Sequence, residues 1–221
     1  MPGRSTILVN DEYYHIFNRG VARQPTFLNR NDYKRAILTL SYYRFASPPV
    51  RLSRFKEFSQ EERNRIVASM RKKEKFAEIV SFVFMPNHFH LLLKQATNKG
   101  ISYFLSKFTN SYTKYFNTKY NRVGPLFQGV FKSVHIESDE QLMHISRYIH
   151  LNPIVSAVIG EQSLLSYPWS SLPEFLTEKS DLIFRDPVLE HFQTAEHYKK
   201  FVFDNIDYGR ELEGIKHLVL E

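Results

Sequence analysis

Two histidines separated by one residue, His88 and His90, are the side chains of this sequence best suited to chemistry. They follow an apolar run over residues 79–85 and a turn signal at Pro86, and a second apolar stretch begins at His88. Both stretches have the β-branched and aromatic content of buried strands. Because alternate residues of a strand share a face, the two imidazoles project together while Phe89 points into a core. Neighbouring imidazoles can ligate a divalent metal, although such pairs also occur in ordinary half-buried strands.

A second polar group follows on the helix that Ser138 is predicted to cap, where His144, Tyr148 and Asn152 are spaced i, i+4 and i+8 along one side. A tyrosine hydroxyl is a poor nucleophile at neutral pH, since its reference pKa is about 10, but a metal-bound phosphate is an activated target. An amide oxygen could complete a metal site with two imidazoles. By spacing alone, a packed tyrosine and an asparagine ending the helix before Pro153 are the simpler interpretation.

Four strands and three helices are predicted to position these groups. The first strand is expected at 13–17, closed by a turn at 18–20, and is followed by a helix that Asn31 and Asp32 cap and that runs to Tyr43. Two consecutive strands at about 77–86 and 88–94, a helix at 101–120, a strand at 131–136 and the helix from Ser138 complete the order. This order is the split βαβ pattern of a ferredoxin-like α+β domain, an antiparallel sheet with helices on one face.

The domain organisation predicted from the sequence has a catalytic domain at residues 1–159 and a C-terminal helical extension at 160–221 packed on it. Residues 48–76 form a strongly basic helical insertion, in which Ser59 to Glu62 resembles a capped helix start. This charge run is as compatible with a solvated surface as with a DNA contact.

Composition narrows the class of protein. The 221 residues carry a formal net charge of +7, and the isoelectric point is about 9.4, which suits a nucleic-acid partner. The absence of cysteine excludes disulfides and thiolate metal ligands. No apolar run is long enough to span a membrane and no signal peptide is evident, so we expect a cytoplasmic protein without a membrane partner.

Five motifs in order along the chain together resemble the REP-associated tyrosine transposases, which are IS200-like members of the single-tyrosine HUH transposases. The motifs are YYHIFNRG at 13–20, MPNHFHLLLK at 85–94, SYTKYFNTKY at 111–120, GPLFQGVFKS at 124–133 and RYIHLNP at 147–153. Two positions depart from the family pattern, because Phe127 stands where tryptophan is expected and Val130 where arginine is expected.

The resemblance implies a specific chemistry. His88, His90 and Asn152 would hold a divalent metal, Mg²⁺ or Mn²⁺, and Tyr148 would be the nucleophile. The implied reaction cleaves single-stranded DNA beside a REP-like hairpin, leaving a 5′-phosphotyrosine link and a free 3′-hydroxyl, and strand transfer reverses it without a nucleotide cofactor. The protein would act as a monomer or homodimer, and in related enzymes a partner subunit can donate the helix that carries the tyrosine.

Several further residues have secondary places in this interpretation. Tyr112 and Tyr115 are rival tyrosines, better suited to the core or to DNA stacking, and His144 and His150 fit a surface or supporting position. Candidates for DNA contact share a polar or basic side chain in or near the motifs, namely Arg19, Lys107, Lys114, Arg122, Gln128, Lys132 and Arg147.

Two other functions remain open at this point. The chain could be a nucleic-acid-binding module on the same ferredoxin-like scaffold, without turnover. A metallohydrolase that uses a bound water would need carboxylate ligands, and none lies near His88 or His90 in the sequence.

Overall fold

An antiparallel sheet of four strands forms the centre of this computed structural model, which describes residues 7–177 and 180–206. The strands are β1 (Tyr13–Arg19), β2 (Ala77–Met85), β3 (His88–Gln95) and β4 (Lys132–Ile136), and they lie in the order β2-β3-β1-β4. The two strands that carry most of the site, β1 and β3, are therefore the central pair. This is the predicted split βαβ order, and the α+β class is confirmed.

Helices surround the sheet and continue into the C-terminal extension. In the described part of the chain they are α1 (Arg30–Tyr43), α2 (Leu52–Phe55), α3 (Gln60–Arg71), α4 (Gly100–Lys119), α5 (Asp139–Val155), α6 (Leu172–Phe175), α7 (Asp186–Leu189) and α8 (Ala195–Phe203), with 3-10 turns at Val21–Arg23 and Glu161–Ser163.

The helices cover both faces of the sheet, whereas the sequence predicted one face. Phe89 of β3 meets Phe108 of α4 edge-on, with ring centroids 5.5 Å apart, and α1 packs beside α4. The next residue, His90, points to the opposite face and meets Tyr148 of α5. The physical reason is visible in β2 and β3, whose residues are buried almost without interruption. A strand buried on both faces needs a covering layer on each side.

The N-terminus of α1 and the C-terminus of β1 differ from prediction. The cap of α1 is Asn29, whose side chain accepts hydrogen bonds from the backbone N–H groups of Asn31 and Asp32, the residues expected to cap. Strand β1 extends into the predicted turn at 18–20 and ends at Arg19, which pairs with His88. The added pairing places Arg19 beside the histidine end of the sheet.

Helix α5 also runs further than predicted, because it passes through Pro153 and ends at Val155. Proline removes one backbone hydrogen bond and disfavours helical geometry in the preceding residue. Here Leu151 and Ile154 are buried on either side of the proline, and their packing outweighs that preference. As a result Asn152 remains on the helix, one turn after Tyr148.

The basic insertion folds around a small core of its own. Leu52 and Phe55 of α2 and Met70 of α3 are buried against Tyr42 and Phe45, separately from the core of the main sheet. The predicted start of α3 is confirmed, since Ser59 and Glu62 form a reciprocal capping box. The cationic side chains of α3 are thus carried on a folded unit.

The C-terminal extension adds hydrogen bonds to the outer edge of β2. The backbone N–H of Phe84 donates to the carbonyl of Trp169 (2.8 Å), and that of Ser171 donates to Phe82 (2.9 Å). Further along the edge, the N–H of Phe184 donates to the carbonyl of Ile79 (2.7 Å). The extension therefore covers an edge that would otherwise be open to pairing with another chain. The predicted extension also includes residues 207–221, which lie outside the described residues.

Membrane crossing was not expected from the sequence. Across residues 7–177 and 180–206, no helix has the length and apolar content that spanning a bilayer requires.

A buried carboxylate joins the layer of helices formed by α1 and α4. Asp32 is fully buried and accepts hydrogen bonds from Lys119 Nζ (2.7 Å), Tyr115 Oη (2.9 Å), Tyr120 Oη (2.7 Å) and the backbone N–H of Leu28 (3.0 Å). Burial by itself would raise the pKa of Asp32, but these donors outweigh it and hold the pKa below the ordinary value. The ionised carboxylate therefore stabilises the fold.

We predict that Asp32→Asn lowers the free energy of unfolding by about 3 kcal/mol at neutral pH, because it removes the charge from a buried, fully hydrogen-bonded group. Since the folded-state pKa of Asp32 is depressed, its contribution is present above the unfolded-state pKa and lost as pH falls through the folded-state value. Denaturant unfolding of both proteins from pH 7 to pH 3 checks this.

The matched control is Asp204→Asn, a change at an exposed aspartate at the end of α8. It should leave stability nearly unchanged at neutral pH. If wild-type protein and Asp32→Asn show parallel pH profiles with equal midpoints, Asp32 does not have this role.

Candidate active site

The imidazoles of His88 and His90 lie side by side on the sheet face that α5 covers. Their ring centroids are 5.1 Å apart and the rings are nearly perpendicular, at 88°. Across the sheet, His90 pairs with Phe17 of β1 and Val83 of β2, and His88 pairs with Arg19 and Met85. The strand geometry predicted from the i, i+2 spacing is therefore observed.

Helix α5 brings Tyr148 and Asn152 to the histidines within the same chain. The ring of Tyr148 meets that of His90 edge-on, with centroids 5.5 Å apart and an interplanar angle of 88°. One turn later Asn152, only 3% exposed, places its Oδ1 atom 3.3 Å from His88 Nε2. Their i, i+4 spacing thus matches the separation of the two imidazoles.

The first member of the predicted polar stripe, His144, does not join the site. Its Nδ1 accepts a hydrogen bond from Arg147 Nη2 (2.7 Å), and its ring meets Phe201 of α8 edge-on. His144 is exposed and belongs to the contact between α5 and the extension, so of the two positions expected for it the surface position is observed.

A further histidine that the sequence argument did not single out, His15, lies in the site. His15 Nε2 is 2.9 Å from His90 Nδ1, the two rings stack at 5.1 Å, and Tyr148 meets the His15 ring edge-on at 5.8 Å. The signal for it was present in the YYHIFNRG motif, since His15 and Phe17 alternate on a strand that pairs with β3. Only the pairing register shows that His15 is diagonal to His90.

The donor atoms at the site can be assigned from their partners. Asn87 donates from its Nδ2 to the carbonyl of Arg23 (3.1 Å), so its Oδ1 faces His88 Nδ1 at 2.7 Å. An amide oxygen only accepts, so His88 Nδ1 carries the proton, and the Nε2 of a neutral ring presents a lone pair. That lone pair faces the Oδ1 atom of Asn152, which is also an acceptor, and the two atoms are 3.3 Å apart. Because two acceptors cannot hydrogen bond to each other, this arrangement suits a cation that both atoms bind.

The atoms available to a cation are therefore two imidazole nitrogens and one amide oxygen. Among the described residues, no cluster of three histidine, cysteine or carboxylate side chains could hold a metal. A mixed nitrogen and oxygen set from His88, His90 and Asn152 fits a divalent ion that keeps open positions for phosphate oxygens and water.

Three of the predicted DNA contacts lie at the edge of this site. Arg19, Gln128 and Lys132 are all exposed. Lys132 pairs with Phe17 across the sheet, and its Nζ lies 6.0 Å from the Phe17 ring, which in turn stacks on His90. The backbone N–H of Gln128 donates to the carbonyl of Arg19 (2.8 Å). Cationic groups therefore adjoin the pair of imidazoles.

The remaining predicted DNA contacts lie elsewhere. Lys107 and Lys114 are exposed on α4, which covers the opposite face of the sheet. The guanidinium of Arg122 donates to Asn117 Oδ1 and to the carbonyl of Pro125 beyond the end of α4. Arg147 is only 8% exposed and lies 4.2 Å from the centre of the Phe201 ring. Its expected DNA contact is not supported, because the extension covers it.

The rival tyrosines are committed to the core on the α4 side. Tyr112 is fully buried and donates to the carbonyl of Thr26 (2.7 Å), and burial raises the pKa of its hydroxyl. Tyr115 donates to Asp32 Oδ1. Neither lies on the histidine face, so of the tyrosines weighed from the sequence, Tyr148 alone adjoins the imidazoles.

His150 was expected either at the surface or in a position that supports the site, and the expectation of a surface position is wrong. It is fully buried, its Nδ1 lies 2.7 Å from Tyr198 Oη, and its Nε2 lies 2.8 Å from Ser171 Oγ. Burial lowers its pKa to about 3, so the ring is neutral at physiological pH. Tyr198 also bonds Ser146 Oγ (2.8 Å), and this chain of hydrogen bonds attaches α5 to α8 and to the segment along β2.

We predict that Tyr198→Phe lowers the free energy of unfolding by about 2 kcal/mol, because it leaves His150 Nδ1 and Ser146 Oγ buried without their partner. Tyr103→Phe is the control, since Tyr103 is 51% exposed on α4. Urea unfolding measures both, and equal small losses would show that the buried hydrogen bonds contribute little.

Comparisons with known proteins identify the family and the fold of this chain. The family model described as IS200-like transposase matches residues 37–152, just over half of the chain. The fold is similar to a solved structure of a REP-associated tyrosine transposase bound to a REP hairpin, with a TM-score of 0.52 and 14% identity, covering 80% of this chain and 87% of that chain. No curated protein matches the sequence. The wider family predicted from the motifs is confirmed, and the chain belongs to the IS200-like transposases.

Proposed function

We propose that this transposase-family protein cleaves and rejoins single-stranded DNA beside a hairpin, with Tyr148 as the nucleophile. The observation that carries the proposal is the edge-on contact of the Tyr148 ring with His90, inside the region matched by the family model. A nucleophile held against two imidazoles and an amide oxygen has the composition of a phosphoryl-transfer site. The contact lies within one chain, which supports a site completed in cis. The extension along the outer edge of β2 occupies an edge on which a second copy could pair, and this supports a monomer over a homodimer.

The reaction proposed is a transesterification. The hydroxyl oxygen of Tyr148 attacks the phosphorus, the Oη–P bond forms, and the bond from phosphorus to the 3′-oxygen breaks. In net terms the phenolic proton ends on the released 3′-hydroxyl. The phosphodiester energy is retained in the 5′-phosphotyrosine link, so attack by a 3′-hydroxyl restores DNA without a nucleotide cofactor.

A divalent cation, Mg²⁺ or Mn²⁺, would be held by His88 Nε2, His90 Nε2 and Asn152 Oδ1, and it would supply Lewis-acid polarisation of a phosphate oxygen. The three protein atoms are neutral, so the bound ion would keep its positive charge for the phosphate. The half-buried position of Tyr148 leaves its ring in contact with the imidazoles while part of it remains accessible.

The substrate class follows from the charges at the edge of the site. Arg19 and Lys132 supply positive charge next to the imidazole pair, which suits a DNA backbone. The similar solved structure is bound to a REP hairpin, and we propose a hairpin with an unpaired flank for this protein as well.

We predict that Tyr148→Phe and His88→Ala each abolish a covalent protein–DNA adduct. The first removes the attacking oxygen, and the second removes a proposed metal ligand. The test is incubation of labelled single-stranded DNA carrying a hairpin with Mg²⁺ or Mn²⁺, with and without a chelator, followed by a denaturing gel.

Tyr103→Phe, a change at an exposed tyrosine on α4, should keep the adduct. An unchanged adduct in Tyr148→Phe would disprove the assignment of the nucleophile. Hairpin binding by the native protein without cleavage, across several hairpins and both metals, would favour the non-catalytic binding module.

We also predict that Arg19→Ala and Lys132→Ala weaken hairpin binding and each reduce the slope of log affinity against log salt by about 0.7 to 1, because each removes one phosphate contact. Fluorescence anisotropy over a series of salt concentrations measures the slope. Lys200→Ala, at an exposed position on α8, is the matched control and should leave it unchanged. Equal slopes in all four proteins would exclude these contacts.

A further inference from the structure

Both imidazoles of the proposed metal site have their Nδ1 atom engaged by a neighbouring side chain. His88 Nδ1 lies 2.7 Å from Asn87 Oδ1, and His90 Nδ1 lies 2.9 Å from His15 Nε2. In each ring this leaves Nε2 as the nitrogen that can bind a metal. The two contacts thus engage the same atom of each proposed ligand, but the partner atom is an amide oxygen for His88 and an imidazole nitrogen for His90.

The partner of His88 determines the proton position, whereas the partner of His90 could act in two ways. Asn87 offers an oxygen that only accepts, so His88 Nδ1 must donate. Between His15 and His90 either nitrogen could carry the shared proton. If His90 Nδ1 donates, the Nε2 of a neutral ring carries a lone pair instead of a proton. If His15 donates instead, a neutral His90 carries its proton on Nε2 and cannot bind a cation there.

The surroundings of His15 hold it in a defined place. Its side chain is only 7% exposed, and its ring stacks on His90 with an interplanar angle of 21°. Both strands are central in the sheet, and the register that pairs Phe17 with His90 places His15 one step away on the same face. The ring of Tyr148 meets His15 edge-on at 76°, so one side chain borders both the proposed ligand and the proposed nucleophile.

We propose that His15 is a positioning residue, which accepts a hydrogen bond from His90 Nδ1–H and so keeps His90 Nε2 unprotonated for the metal. This inference rests on the proposed function. Partners of this kind fix the tautomer and the ring orientation of metal-ligating histidines, and their loss typically weakens metal binding by about 10- to 100-fold. His15 also forms part of the wall against which the Tyr148 ring packs.

The test compares His15→Phe, which keeps an aromatic ring but has no nitrogen, with His15→Gln, whose Oε1 can accept from His90 Nδ1. Phe17→Leu is the packing control, because Phe17 stacks on His90 without a hydrogen bond. Long-range ¹H–¹⁵N spectra of the metal-free proteins report the tautomer of His90, assigned with a His90→Gln variant. Titration with Mn²⁺ alone, followed by electron paramagnetic resonance, reports metal affinity without DNA.

We expect His90 to carry its proton on Nδ1 in the native protein, in His15→Gln and in Phe17→Leu. In His15→Phe we expect the Nε2–H tautomer to become populated and Mn²⁺ binding to weaken by about 10- to 100-fold. Thermal unfolding of each variant separates this effect from a loss of fold.

Two results would overturn the proposal. One is a native His90 with its proton on Nε2, and the other is an Nδ1–H tautomer and a Mn²⁺ affinity that are both unchanged in His15→Phe. A failure of the proposed metal site is distinguishable, because native protein would then bind Mn²⁺ no better than His88→Ala, while the tautomer measurement would still test His15.

Discussion

The packing of α5 across the imidazole face of the sheet is the interaction on which the rest of the site depends. The sheet alone presents two histidines to solvent, and α5 alone carries a tyrosine and an asparagine with no partner. Their contact places the Tyr148 ring edge-on to His90 and the Asn152 oxygen beside His88. Every residue of the proposed reaction centre therefore derives its role from one helix-to-sheet interface.

Hydrogen bonds from the C-terminal extension stabilise that interface. His150 on the far side of α5 is buried among Tyr198 and Ser171, and Ser171 also accepts from the backbone of Phe82 on β2. Because buried polar groups are costly when unpaired, these bonds tie the helix, the strand and the extension into one arrangement. The same extension covers the outer edge of β2, so the segment that holds α5 also occupies an edge on which another chain could pair.

The electrostatic character of the site follows from its composition. Its centre is built from imidazoles, an amide and a phenol, and within the described residues no carboxylate joins the histidines in a metal-binding cluster. The cationic Arg19 and Lys132 stand at the edge. A ligand set without a carboxylate leaves the charge of a bound cation unreduced, and cations at the edge favour an approaching phosphate backbone. This arrangement agrees with DNA chemistry better than with hydrolysis of a neutral substrate.

Local sequence patterns were sufficient to predict the main elements of the fold, several residues of the candidate site and the family. The alternation around Phe89 predicted both imidazoles on one face, the i, i+4 spacing predicted Tyr148 and Asn152 on one side of a helix, and the motifs predicted the family. Such inferences succeed because the periods of strand and helix are properties of the local backbone. The sequence also indicated the order of elements from which the sheet is built.

Tertiary structure decided what depends on contacts between distant segments. The second covered face of the sheet, the helical course through Pro153, the burial of His150 and Arg147, and the place of His15 beside His90 all arise from packing or strand register. A local preference at a single residue, about 1 kcal/mol or less for most residues and about 3 kcal/mol for proline inside a helix, cannot anticipate them, because the combined burial of several apolar side chains is worth more. The sequence therefore predicted the groups of the proposed reaction centre, and the tertiary fold determined which side chains lie next to them.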